Sequence, residues 1–191
     1  PPLVKNVLTG DKTVASLFLA VFSVGIAIGS VAINRLLQGK VSARYAPASV
    51  LAMGGFVLLF YFVCHGWEIS RDGQLYDIPD FLAHPDSWAV VGTLLGIAVA
   101  GGMFVVPLYA FLTTTVPKSE TARAVAANNL VNSGAMVCGS LFTLGLSAAG
   151  IPITEQLLLS AGMCLISAWL AHRLHMASRA MVLRDADGPM L

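Results

Sequence analysis

The sequence predicts an all-α protein, a polytopic transmembrane bundle of about five helices. Three observations carry this reading. Five windows are apolar over the roughly 20 residues that a helix needs to cross a bilayer. Of the 191 residues only 11% are charged and 57% are hydrophobic, where soluble domains carry about 25% charged residues. Lys and Arg collect in alternate loops, as successive spans require.

The first window runs from about Thr13 to Leu37. Gly25 and Gly29 stand four apart in it, so they share a helix face and permit close backbone approach. Ser16, Ser23, Ser30 and Asn34 draw a thin polar stripe on the same helix. Such a stripe either lines a pathway or bonds to a neighbouring helix or its own backbone. The second window runs from Pro47 to Gly66 and the third from Ser87 to Thr114. The third repeats the small-residue spacing at Gly92, Gly96 and Ala100, then carries Gly101, Gly102 and Pro107. Glycine weakens a helix and proline removes a backbone donor, so a kink or gating break is expected there. The fourth window, Arg123 to Ala149, is the least apolar, and the fifth runs from Ile153 to Leu174. Residues 1–175 thus form one membrane unit and residues 176–191 a tail. The chain begins at Pro1 rather than Met, and Pro1–Thr13 is read as a connector within a longer protein.

The fourth helix carries the most information. At about 100° per residue, Asn128, Asn129, Asn132, Ser133, Met136, Gly139, Ser140, Thr143 and Ser147 share one broad face. Leu130, Val131, Val137, Cys138, Leu141 and Phe142 lie largely opposite. Amides inside a membrane are costly to leave against lipid, so they face protein or water. Interhelical hydrogen bonding would satisfy them. The length of the stripe favours the wall of a polar cavity, with Asn128, Asn129, Asn132, Ser133 and Ser140 as substrate-binding candidates.

Orientation follows from the loops. Arg35, Lys40 and Arg44 join the first two spans with no acid among them. Lys118 and Arg123 outnumber Glu120 in the link between the third and fourth, and the tail carries Arg173, Arg179 and Arg184. The intervening loop, Trp67–Asp86, holds Glu68, Asp72, Asp77, Asp80 and Asp86 against Arg71. The positive-inside rule places the basic loops and the C-terminus in the cytoplasm, with Arg35 and Arg44 on the cytoplasmic rim.

Several functions are excluded or unsupported. A net charge of +1 leaves no basic field for nucleic acid. Gly39-Lys40 lacks the rest of a phosphate-binding loop. Nothing resembles a catalytic nucleophile motif, a metal site or a cofactor site, and no Asp or Glu lies inside a span. Cys64, Cys138 and Cys164 read as small core residues. His172 and His175 stand three apart at the end of the last span, where headgroup contact explains them.

The stretch Gly101-Gly102-Met103-Phe104-Val105-Val106-Pro107-Leu108 resembles a signature in the tenth helix of lysophospholipid transporters of the major facilitator superfamily. Ala124–Leu130, Asn132-Ser133 and Ala135-Met136 look like that family's eleventh helix, and Gly150-Ile151-Pro152 fits the turn after it. Asn34–Leu37 and Ser42–Tyr45 resemble its loop between helices eight and nine. The resemblance implies helices eight to twelve of a twelve-helix secondary transporter, with an N-terminal half beyond this chain. It implies a lysophosphatidylethanolamine-like substrate moved across the bacterial inner membrane for re-acylation, without a cofactor. The partners implied are membrane lipid and that amphipathic substrate. Two other functions fit the residues: an exporter of drugs or other small solutes on the same fold, and the membrane part of a bifunctional phospholipid acyltransferase. Catalytic residues for the latter would lie beyond Leu191.

Overall fold

A computed structural model describes residues 2–38, 45–67 and 75–186. Among them lie seven helices: α1 (Pro2–Asn6), α2 (Lys12–Leu37), α3 (Ala46–His65), α4 (Ile78–Ala83), α5 (Ser87–Thr115), α6 (Thr121–Ala148) and α7 (Ile153–Ala186). The five long ones are apolar enough to span a bilayer, in the order and places expected.

Local chemistry sets the helix starts. Asp11 accepts the Thr13 and Val14 N–H groups at 2.7 and 3.1 Å, capping α2. Pro47 occupies the first turn of α3, where its missing N–H costs nothing. Asp77 caps α4 through the Asp80 N–H at 3.0 Å. This short helix interrupts a loop that reads as turns alone. The apolar stretch long enough to cross ends at Arg173, close to the expected Leu174, and helix α7 itself continues past it to Ala186. At 1.5 Å per residue it is about 50 Å long, well beyond the roughly 30 Å of hydrocarbon.

Helices α2, α5, α3 and α7 pack in that order, each against the next. Lipid tails are as apolar as the side chains, so close van der Waals contact must hold the helices together. Glycine supplies it at the α2–α5 crossing. A Cβ on Gly25 would stand 2.5 Å from the Ala98 Cβ, and one on Gly102 would stand 2.6 Å from the Ile26 carbonyl oxygen. The same spacing on α5 serves a different neighbour: Gly96 faces the Phe56 ring of α3, and Gly92 faces open space.

One expectation is corrected here, the burial of Cys138. Helix α5 is one continuous helix through Gly101, Gly102 and Pro107. Gly102 makes room for α2, and Pro107 is fully buried, so packing on all sides holds the helix through the missing hydrogen bond. Cys138 is exposed on α6, whereas Cys64 and Cys164 are buried. The polar stripe of α2 is resolved as well. Ser16, Ser23 and Ser30 donate to the Lys12, Leu19 and Ile26 carbonyls one turn back, at 3.1, 2.8 and 2.7 Å.

The largest buried cluster lies at the end of the bundle that carries α4. Val4, Leu8, Val14, Phe18, Phe60, Trp67, Phe81 and Val90 meet there. Trp67 stacks between Phe81 at 5.5 Å and His84 at 4.3 Å. The N-terminal segment is stitched onto this end: Tyr76 N–H donates to Thr9 O at 2.7 Å and Asp11 N–H to Tyr76 O at 2.9 Å.

Helix α6 is the exception to this packing. It buries no residue, and its main neighbours, α5 and α7, are only sparsely contacted.

Candidate functional site

The link between α5 and α6 is short. Glu120 N–H closes a turn onto Pro117 O at 2.8 Å, and α6 begins at Thr121. So short a connection makes the two helices antiparallel neighbours. It sets the last third of α5 beside the first third of α6. Between them lies an open cavity of about 780 Å³.

The cavity has two unlike walls. Helix α5 contributes Phe104, Val105, Leu108, Tyr109, Phe111 and Leu112, an apolar and aromatic surface. Helix α6 contributes Asn128, Asn129 and Asn132. These asparagines lie about 10–17 Å along α6 from its start, at 1.5 Å per residue, and so well inside the span. Among the described residues their side-chain amides have no hydrogen-bond partner in the protein. No carboxylate, ammonium, guanidinium or imidazole lines the space. Such a cavity offers donors and acceptors on one side and hydrocarbon contact on the other, with no fixed charge.

The other candidates fall elsewhere. Ser133 is exposed on α6 and does not line the cavity. Ser140 lines a separate hollow of about 510 Å³ with Met136, Gly139, Thr143, Leu144 and Ser147, nearer the α4 end. Of its neighbours, Thr143 donates to its own backbone at Gly139 O, 2.8 Å, and Ser147 accepts from Gln156 Nε2 of α7 at 2.9 Å. Part of the long stripe therefore serves packing after all. Gly101, Gly102 and Pro107 lie on α5 before or alongside the apolar wall and do not line it. Arg35 is exposed in the last turn of α2. Arg44 lies outside the described residues.

The apolar wall was not foreseen. Its signal is the spacing Phe104, Leu108, Phe111 on one helix face, directly before the short link that brings α6 alongside. Among the described residues no three His, Cys, Asp or Glu side chains gather as metal ligands would.

Comparison with known proteins agrees with this architecture. No curated protein and no solved structure matches the chain. The sequence matches the Major Facilitator Superfamily over residues 1–185, nearly its whole length. Five long apolar helices and a family match over residues 1–185 agree: the chain is a multi-pass membrane protein of the Major Facilitator Superfamily, a family of secondary transporters.

Proposed function

We propose that this transporter moves a lysophospholipid, of the lysophosphatidylethanolamine kind, from the outer to the inner leaflet of a bacterial inner membrane, where it is re-acylated. The observation that carries this is the α5–α6 cavity, with hydrocarbon on one wall and neutral amides on the other. A single-chain lipid has the same division. Its acyl chain lies against Phe104, Leu108 and Leu112, and its glycerol and phosphate oxygens accept from Asn128, Asn129 and Asn132. Neutral donors suit a passing substrate, because a buried fixed charge is costly to strip and slow to release.

In this reading the C-terminus and the α2–α3 loop face the cytoplasm, and the α4 end faces outward. Arg35 and Arg44 hold the cytoplasmic rim against anionic headgroups. Helix α5 bends at Pro107, which has no N–H to give the preceding turn, as access alternates. A second set of helices, from an N-terminal half, covers the exposed amide face of α6. The resemblance of Gly101–Leu108 and Ala124–Met136 to lysophospholipid transporters supports the substrate, and an uncharged cavity supports an amphiphile in general.

The test is uptake of labelled lysophosphatidylethanolamine by cells that lack their own route, read as conversion to the diacyl lipid. Conversion that falls with Asn128→Ala plus Asn132→Ala is the expected result. Uptake that is unchanged by the double substitution would remove the cavity from the mechanism.

A further inference from the structure

A second polar site lies at the opposite end of the protein from the amide cavity. Gly10 N–H donates to Val4 O at 2.8 Å, which folds the end of α1 back onto the start of α2. Gly10 is required for this turn: a Cβ there would stand 2.9 Å from side-chain carbons of both Val4 and Val14. The fold-back brings Lys5 and Lys12, seven positions apart in sequence, to the wall of one cavity of about 470 Å³. Asn6, Asp11, Gly10, Val4 and Leu75 complete the wall.

The charges in this cavity are not spent on one another. Among the described residues neither lysine forms an ion pair. Asp11 uses a single oxygen, Oδ1, for the Thr13 N–H, the Thr13 hydroxyl and the Val14 N–H. Its other oxygen makes no bond within the described residues. The Thr13 and Val14 N–H groups are thus already satisfied, and the polar side chains of the cavity wall are those of Lys5, Asn6, Asp11 and Lys12. Because α2 enters the membrane at Lys12, the cavity sits at headgroup level.

We propose that this cavity is a capture site for a zwitterionic headgroup that carries a phosphate and an ammonium, with Lys5, Lys12 and Asn6 on the phosphate and Asp11 on the ammonium. The charge pattern is complementary: the ammoniums of Lys5 and Lys12 favour the phosphate oxygens, and the adjacent carboxylate rewards a ligand that brings its own amine. A ligand with phosphate alone meets Asp11 as a repulsive neighbour. The proposal rests on the outward orientation of the α4 end given above, and it would place headgroup selection before the uncharged cavity that follows.

The experiment measures binding to the intact protein in nanodiscs with three probes: lysophosphatidylethanolamine, lysophosphatidylglycerol and inorganic phosphate. Lys5→Gln plus Lys12→Gln should weaken both lysolipids by about tenfold or more, as loss of charge-assisted bonds does. Asp11→Asn keeps a helix cap, so it should leave the fold intact. It should weaken lysophosphatidylethanolamine severalfold while leaving lysophosphatidylglycerol equal or tighter. The proposal is overturned if the lysine variant binds as before, or if Asp11→Asn shifts both lysolipids alike. It is also overturned if inorganic phosphate displaces either lysolipid as well as the other lysolipid does, which would mark a free-anion site. Binding that depends on Lys5, Lys12 and Asp11 in a protein that transports neither lipid would support the site and remove the transport reading instead.

Discussion

Gly29 of α2 and Val99 of α5 approach so closely that a Cβ on the glycine would run into the Val99 carbonyl. The contact is backbone against backbone, so no side-chain rotation can relieve it. Gly29→Val should therefore force the α2–α5 pair apart, at a cost of about 1–3 kcal/mol or more. Gly55 is the control, since a Cβ there meets nothing within 4 Å. Gly55→Ala should leave stability unchanged or raise it by up to about 1 kcal/mol. Thermal unfolding in detergent, followed by size-exclusion profile, separates the two.

Gln156 of α7 donates to Ser147 Oγ at 2.9 Å and to Ile151 O at 3.1 Å, which fastens the α6–α7 hairpin. Ser147→Ala removes one bond and leaves the other, so it should cost about 1 kcal/mol. Gln156→Leu removes both donors together with the buried Oε1, which has no partner. It should cost no more than the serine change, because an orphaned acceptor disappears with the bonds. A loss far larger for Gln156→Leu than for Ser147→Ala would show that the donor to Ile151 O dominates.

The amides of α6 take no part in packing. Asn132→Ala should therefore leave the unfolding temperature in place and slow uptake by about three- to tenfold, the loss of one hydrogen bond to substrate. Leu108→Ser changes the opposite wall. It should reduce uptake of a long-chain lysolipid more than that of a short-chain one, because only the former needs the full apolar surface.

Asp11 is held below the ordinary carboxylate range by the Thr13 hydroxyl and by the Val14 and Thr13 N–H groups. A lowered folded-state pKa means that the cap stabilises α2 above the unfolded value of about 4. That contribution is lost as the pH falls through the lower, folded value. The start of α2 should loosen in that acidic window in the native protein. It should not in Asp11→Asn, whose amide does not titrate. The Thr13 amide resonance between pH 2 and pH 6 reports both cases.

Orientation is open to direct chemical test. A cysteine at Asp80 should react with a membrane-impermeant maleimide added outside, and one at Ser119 should react only after permeabilisation. The reverse pattern would invert the topology and with it the assignment of the capture site to the outer face.

Much of the architecture was legible in the residues. The five spans lie where apolar length placed them, because a bilayer allows only helices that satisfy their own backbone. The close approach at Gly25 and Gly29 was legible for the same reason, since four-residue spacing puts both on one face. Which helix sits against each small residue was not. Gly96 continues the motif in sequence but faces Phe56, because α5 lies between two neighbours and splits its glycines between them. At Pro107 α5 stays one continuous helix, and the proline is fully buried there, which the residues alone did not show.

Sequence by itself determined the chemistry of α6: three amides and a run of hydroxyls on one face, with no charge among them. Tertiary structure decided what each of them does. Asn128, Asn129 and Asn132 stay unpaired because the short link sets them against apolar α5, whose side chains offer hydrocarbon in place of partners. Ser147, on the same stripe, is bonded because α7 returns past it with Gln156. Helical periodicity assigns a face, but only the neighbouring helix determines whether a polar group on that face finds a partner or is left for a ligand.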